Sequence, residues 1–347
     1  MPGYQARILD GNHLAGTEHR PAPTRDSSAA MLPGQSLVVL DPATMLVRDV
    51  VPCEDPYTQE RLLTEAILPG VAPGELWIAD RNFCCTRFLF GVAAGGASFL
   101  IREHSATLRR DQSGDWVELG PVATGVVSEQ TLRLTEIDAR GRVLCDEQGQ
   151  PRTMTVRRIR LVLDRPTEDG DAEIVLLSNV PADRADGRLL ATAYRQRWRL
   201  ENAFQVLVEA LRCEIDTLAY PKAALFGFCT ALVAYNAVAV VRAALRSAHG
   251  AEAVEKSVST YHLAGEVART YEGMMIALPP GEWAAFGSAS DEEFAAFLHA
   301  AAELAWLAKY PLARRGPKKP GPKRSHSRTK PHAATSRLLD QQNQHNR

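Results

Sequence analysis

The sequence predicts an α/β fold: a mixed sheet flanked by helices, with an all-β insertion before a long helix and a helical C-terminal region. Three observations lead there. Three short β-rich runs open the chain in succession, and helix-like and strand-like segments then alternate up to Arg102. The character changes twice after that, to short alternating runs from Asp115 and to helix-forming segments from Asp186. With 347 residues, 45% of them hydrophobic, the chain can fill a substantial core.

Taken in order, Ala6 to Leu9 is a short apolar segment ending at Asp10. Ser36 to Leu40 and Met45 to Val51 are two more β-rich runs, joined by the turn-prone Asp41-Pro42, and the succession suggests an antiparallel meander. Tyr57 to Leu68 has helical spacing of Leu62, Leu63, Ala66 and Ile67 and stops at Pro69-Gly70. Leu76 to Ala79 is a short buried-type strand that delivers Asp80. A helix over Thr86 to Ala94 and a strand over Ser98 to Arg102 follow, separated by Gly95-Gly96. Thr131 to Ile137, Thr153 to Val162 and Glu173 to Leu177 read as strands of an inserted all-β module. A long helix starts near Asp186, an N-cap by residue type, and carries Tyr194, Arg197, Glu201 and Leu207 towards Leu211.

From Pro221 to Tyr310 the chain is helical in tendency. The last helix opens with Ser290 and Glu293 at capping-box spacing and is terminated by Pro311. These readings make residues 1–110 and 183–247 two parts of one catalytic core, with 111–182 as the β-rich insertion. Residues 248–311 form a C-terminal helical region and 312–347 a disordered basic tail.

The formal net charge of -1 hides an asymmetry, because Arg314 to Lys330 holds eight Lys or Arg and no Asp or Glu. The remainder of the chain carries -9. An acidic body with a basic end suggests a polyanion partner, or no more than a solvated tail. Six cysteines (Cys53, Cys84, Cys85, Cys145, Cys213 and Cys229) form no C-x-x-C pair, which argues against structural zinc or a disulfide framework. No signal-peptide pattern opens the chain, so the cytoplasm, with the nucleoid, is the expected compartment. Ala223 to Val241 runs without a charge, but its Ala-rich make-up and its Asn236, Thr230 and Gly227 favour a core helix over a membrane span.

Three strands, a helix, a strand, a helix, a strand and a later helix is the element order of a ribonuclease-H-like fold. There the first and fourth strands lie side by side in the middle of the sheet, so acids on the first and at the end of the fourth come together. Asp10 and Asp80 occupy those places, and Glu201 on the long helix supplies a third acid. Phosphodiester cleavage needs an activated oxygen nucleophile, a stabilised leaving oxygen and charge neutralisation, which two hard divalent cations provide. Carboxylates are the ligands Mg²⁺ prefers, with Mn²⁺ the alternative. Asp10 and Asp80 would bridge the metals and Glu201 would close the coordination of one.

Three local motifs make the resemblance specific. Ile8-Leu9-Asp10-Gly11-Asn12, Trp77-Ile78-Ala79-Asp80-Arg81-Asn82-Phe83, and Tyr194, Arg197 and Glu201 at Tyr-x2-Arg-x3-Glu spacing resemble the insertion sequence 4 group of DDE transposases. The all-β segment matches the insertion these enzymes carry before the glutamate, and the resemblance covers roughly Ile8 to Leu245. It implies a metal-dependent enzyme that cleaves and transfers DNA strands, with double-stranded DNA (transposon ends and target) as partner and a homodimer assembled on it. Tyr194 and Arg197 would contact phosphates near the cleaved end, a task suited to a phenolic hydroxyl and a forked guanidinium. At about 100° per residue, positions 194, 197 and 201 fall on one helical stripe.

Two departures qualify the resemblance. The family signature continues with a lysine seven residues after the glutamate, and that position is Val208; Arg212 returns to the Tyr194 stripe and is the candidate substitute. Only nine residues precede Asp10, where family members carry a helical DNA-binding region, which implies an N-terminally shortened chain. A remnant that binds DNA or inhibits full-length copies, and a nuclease of the same fold, are the competing readings. His13 and the Cys84-Cys85 pair fall near the acids and are given no redox or zinc role.

Overall fold

The computed structural model describes residues 3–14, 21–25, 31–104, 108–112, 114–167, 170–197, 203–204, 219–312 and 333–346. They fall into two compact units. The first comprises Met1–His13, Gln35–Ala43 and Val47–Glu201, and the second Leu14–Gly34, Thr44–Leu46 and Asn202–Arg347.

The first unit is built on one mixed sheet. Its opening strands are β1 (Gln5–His13), β3 (Gln35–Asp41) and β4 (Leu46–Cys53), with a short β2 (Met31–Leu32) before β3. They are followed by β5 (Glu75–Ala79) and β6 (Ser98–Arg102). The spatial order β4-β3-β1-β5-β6 has β1 antiparallel to β3 and parallel to β5, and β5 parallel to β6. This is the ribonuclease-H-like arrangement. The central strands are apolar on successive residues because both sheet faces are covered. Leu9, Leu37, Val39, Trp77, Ala79, Phe99 and Ile101 face one way and pack with Phe83 and with Phe88 and Leu89 of α2 (Thr86–Ala94). Ile8, Val38, Leu40, Ile78 and Leu100, of the opposite parity, are buried on the other face. At the end of β1 away from Asp10, the buried Arg7 donates to Glu75 at 2.9 Å and to Asp41 at 3.2 Å.

The β-rich insertion continues the main sheet. Its strands β7 (Arg109–Gln112), β8 (Val117–Val122), β9 (Gly125–Thr135), β10 (Thr153–Leu163) and β11 (Glu173–Ser178) extend the same sheet. The order continues β6-β11-β10-β9-β7, with β8 also on β9, giving ten strands. Antiparallel pairing of Leu100 with Ser178 joins the two parts, so the edge that β6 would have exposed is satisfied by backbone hydrogen bonds.

Two helix expectations are corrected. Of Tyr57 to Leu68, only α1 (Glu60–Leu63) is regular, and 3-10 turns at Thr64–Ala66 and Leu68–Gly70 follow it. The helix after the insertion, α3 (Gly187–Tyr194), starts as expected, with Asp186 accepting from the Leu189 N–H at 2.8 Å. It then tightens into a 3-10 turn at Arg195–Arg197. Regular α-helix is therefore interrupted over Arg195–Arg197. Glu201, Val208 and Arg212 lie outside the described residues.

In the second unit α4 (Pro221–His249) places Pro221 in its first turn and stops at Gly250, whose φ of 85° suits glycine. It is long and apolar enough by length and composition to cross a bilayer, with 44% of its most apolar window buried. Leu225, Phe228, Leu232 and Tyr235 are buried, whereas Phe226 and Val233 are exposed, so the helix is not enclosed on all sides as expected. α5 (Ala251–Ser257), α6 (Thr260–Ala277), α7 (Ala284–Gly287) and α8 (Asp291–Glu303) follow. The Ser290/Glu293 capping box is present, but α8 ends at Glu303, before Pro311. Val238 and Leu245 of α4 pack with Val254, Leu263 and Ala302.

The expected tail is also corrected. Although the basic run at 314–330 lies outside the described residues, Ala333–Ala334 forms a strand, β12, parallel to β2, and Thr335–His345 is a helix.

Candidate active site

Strand register brings the first two predicted acids together. Leu9 of β1 is the partner of Ala79 of β5, so Asp10 and Asp80 are the next residues along two adjacent parallel strands. Asp80 leaves the sheet as the N-cap of the 3-10 turn Arg81–Phe83 and accepts from the Asn82 N–H at 2.8 Å. Asp10 shares the parity of Ile8 and so belongs to the sheet face opposite α2.

α3 and the turn after it bring Tyr194 and Arg197 to the same place. The Arg197 guanidinium donates to Asp10 Oδ2 at 2.9 Å, with both side chains mostly buried. Tyr194 is 8% exposed and its hydroxyl feels Arg197, Asp80, Arg102 and Asp10. Burial chiefly pushes that phenol up to about 12, so it is a neutral hydrogen-bonding group. Burial likewise lifts the Asp10 carboxyl from 3.8 to about 7. Arg197 and the Gly11 N–H pull it down, while Asp80 and Glu60 push it further up. Desolvation outweighs the ion pair there, and the carboxyl ionises only near neutrality.

Sequence reading missed Glu60 as a member of this group. A Cβ on Gly11 would stand 2.0 Å from Glu60 Oε1, so the carboxylate fills the space that glycine leaves beside Asp10. Its other oxygen accepts from Asn82 Nδ2 at 3.3 Å, and His13 Nδ1 lies 3.9 Å from Oε1. Burial raises the Glu60 carboxyl, Asn82 and His13 oppose that, and Asp80 adds to it. The glycine after the strand acid was the available signal, but nothing in the sequence states what fills the vacancy.

Asp10, Asp80, Glu60, Tyr194 and Arg197 thus converge from four separate stretches of the first unit. Oxygen donors of this kind suit a hard divalent cation. Among the described residues no three His, Cys, Asp or Glu side chains stand in metal-holding geometry. The Cys84 thiol is pushed up to about 12 by burial and is inert as a ligand or nucleophile.

The strand order and the paired aspartates define a ribonuclease-H-like protein with an acidic centre at the middle of its sheet. A family model described as the transposase DDE domain matches residues 1–237, and the chain belongs to that family. No curated protein matches it. Among solved structures it is similar to piggyBac transposase in a cryo-EM synaptic complex with hairpin DNA, with a TM-score of 0.41 and 11% identity. That similarity covers 95% of this chain and 64% of the other, so the chain spans less than two thirds of that protein's length.

Proposed function

We propose that this chain is a DNA transposase that cleaves phosphodiesters at transposon ends and joins them to target DNA. Asp10, Asp80 and Glu201 are its catalytic carboxylates. What carries the reading is the register that sets Asp10 beside Asp80 in a chain of the transposase DDE domain family. The site chemistry agrees. A buried carboxyl lifted to about 7, with Asp80 and Glu60 repelling its charge, is the electrostatic environment that a bound cation relieves. Mg²⁺ or Mn²⁺, as two ions held by Asp10, Asp80 and Glu201, would supply phosphate charge neutralisation and an activated oxygen. Tyr194, Arg197 and Arg212 are assigned to DNA phosphates. The proposed working form is a homodimer on double-stranded DNA, nucleoid-associated in the cytoplasm.

The test is cleavage and joining of DNA carrying the element's own ends, with Mg²⁺ or Mn²⁺ present and then chelated. Asp10→Ala, Asp80→Ala and Glu201→Ala should each abolish both reactions while circular dichroism stays unchanged. Metal-dependent cleavage by any one of them removes that residue from the catalytic set. Val208 favours a second reading, a weak or inactive copy that binds DNA or inhibits full-length copies. Tight end binding without cleavage by the unaltered chain would select it.

A further inference from the structure

A cavity of about 370 Å³ adjoins the acids, lined by His13, Pro56, Tyr57, Glu60, Arg61 and Arg81 among others. Neither Tyr194 nor Arg197 lines it, so it is distinct from the phosphate contacts assigned above. Its volume lies within the range of roughly 300–1,000 Å³ typical of small-ligand sites. Glu60 is the shared wall: the same carboxylate that sits over Gly11 beside Asp10 borders the cavity.

Besides the Glu60 carboxylate, the cavity presents two guanidinium groups that suit an anion. Arg61 donates from Nε to the neutral Gln59 Oε1 at 2.7 Å, and among the described residues neither Arg61 nor Arg81 is ion-paired. Pro56, buried, and Tyr57, half-buried, add non-ionic lining against which a sugar or base can lie. His13 contacts the Pro56 carbonyl through Nε2 at 3.1 Å, which helps to fix its ring. Arg81 is felt by Asp171 without an ion pair to it, and two guanidinium forks match phosphate oxygens in shape and charge.

We propose that this cavity is a subsite for one DNA nucleotide adjoining the scissile phosphodiester, with its phosphate held by Arg61 and Arg81. The proposal rests on reading Asp10 and Asp80 as the cleavage centre. The nucleotide has two possible sources, donor DNA flanking the transposon end or target DNA.

The test uses the full chain with Arg81→Gln and the double variant Arg61→Gln/Arg81→Gln. Binding is measured against salt on two substrates, an uncut donor duplex and a pre-cut end presented with target duplex. Each lost phosphate contact should flatten the slope of log affinity against log salt by about 0.9. A flattened slope and slowed cleavage on the uncut donor alone identify flanking DNA. The same changes confined to binding and joining of pre-cut ends with target identify target DNA. Folded variants with unaltered slopes and rates on both substrates overturn the subsite, while loss of cleavage in Asp10→Ala leaves the reading of the acids intact. Cleavage by Asp10→Ala overturns that reading, and the subsite with it.

Discussion

Asp10→Asn should convert a pH-dependent stability into a nearly flat one. In the folded chain the Asp10 carboxyl ionises near 7, against 3.8 for the free group, because burial outweighs the attraction of Arg197. The folded state therefore holds a proton that the unfolded state has released between about pH 4 and 7, and stability falls as pH rises through that window. Full ionisation costs on the order of 4 kcal/mol at about 1.4 kcal/mol per pH unit. Above about pH 7 the loss levels off, because both states are then ionised. The asparagine has no proton to lose and its oxygen can still accept from Arg197, so the variant escapes this dependence. Urea unfolding of both proteins from pH 4.5 to 8.5, with divalent cations chelated, reads the difference directly. The variant should gain on the parent by a few kcal/mol across the range, and added Mg²⁺ should narrow the gap by stabilising only the parent. Parallel curves for the two proteins would refute the argument, since they would mean that Arg197 keeps Asp10 ionised throughout.

Arg157 is buried, forms a two-pronged pair with Glu129 at 2.7 and 2.6 Å, and donates to the carbonyls of Val180 and Ala185 just before α3. Removing one partner of such a pair costs about 3–5 kcal/mol, so Arg157→Ala should lower the urea midpoint strongly. A change below about 1 kcal/mol would show that the pair does not anchor α3. Val208→Lys separates a missing phosphate contact from a core position: tighter end binding with normal solubility is expected if the site faces DNA. Insoluble or unfolded protein would establish Val208 as core, since burying an unpaired ammonium costs several kcal/mol.

The sequence by itself determined the central elements of the first unit and their order. The strand that carries Asp10, the strand that delivers Asp80, the helix over Thr86–Ala94 and the strand over Ser98–Arg102 follow from apolar runs bounded by glycine, proline and aspartate, which act within a few residues. The Asp186 cap and the Ser290/Glu293 box were readable for the same reason. Tertiary structure decided what depends on partners distant in the chain. The insertion became part of the main sheet because the free edge of β6 took Ser178 as a backbone partner across 78 residues of sequence. Arg197 reached Asp10 through a 3-10 turn rather than along a regular helical stripe, and helical periodicity does not report such a change. Glu60 entered the site because a glycine 49 positions earlier leaves room for its carboxylate beside Asp10. Periodicity and capping are local interactions, whereas strand pairing, the filling of a vacancy and the lift of a buried carboxyl arise only once the chain has folded.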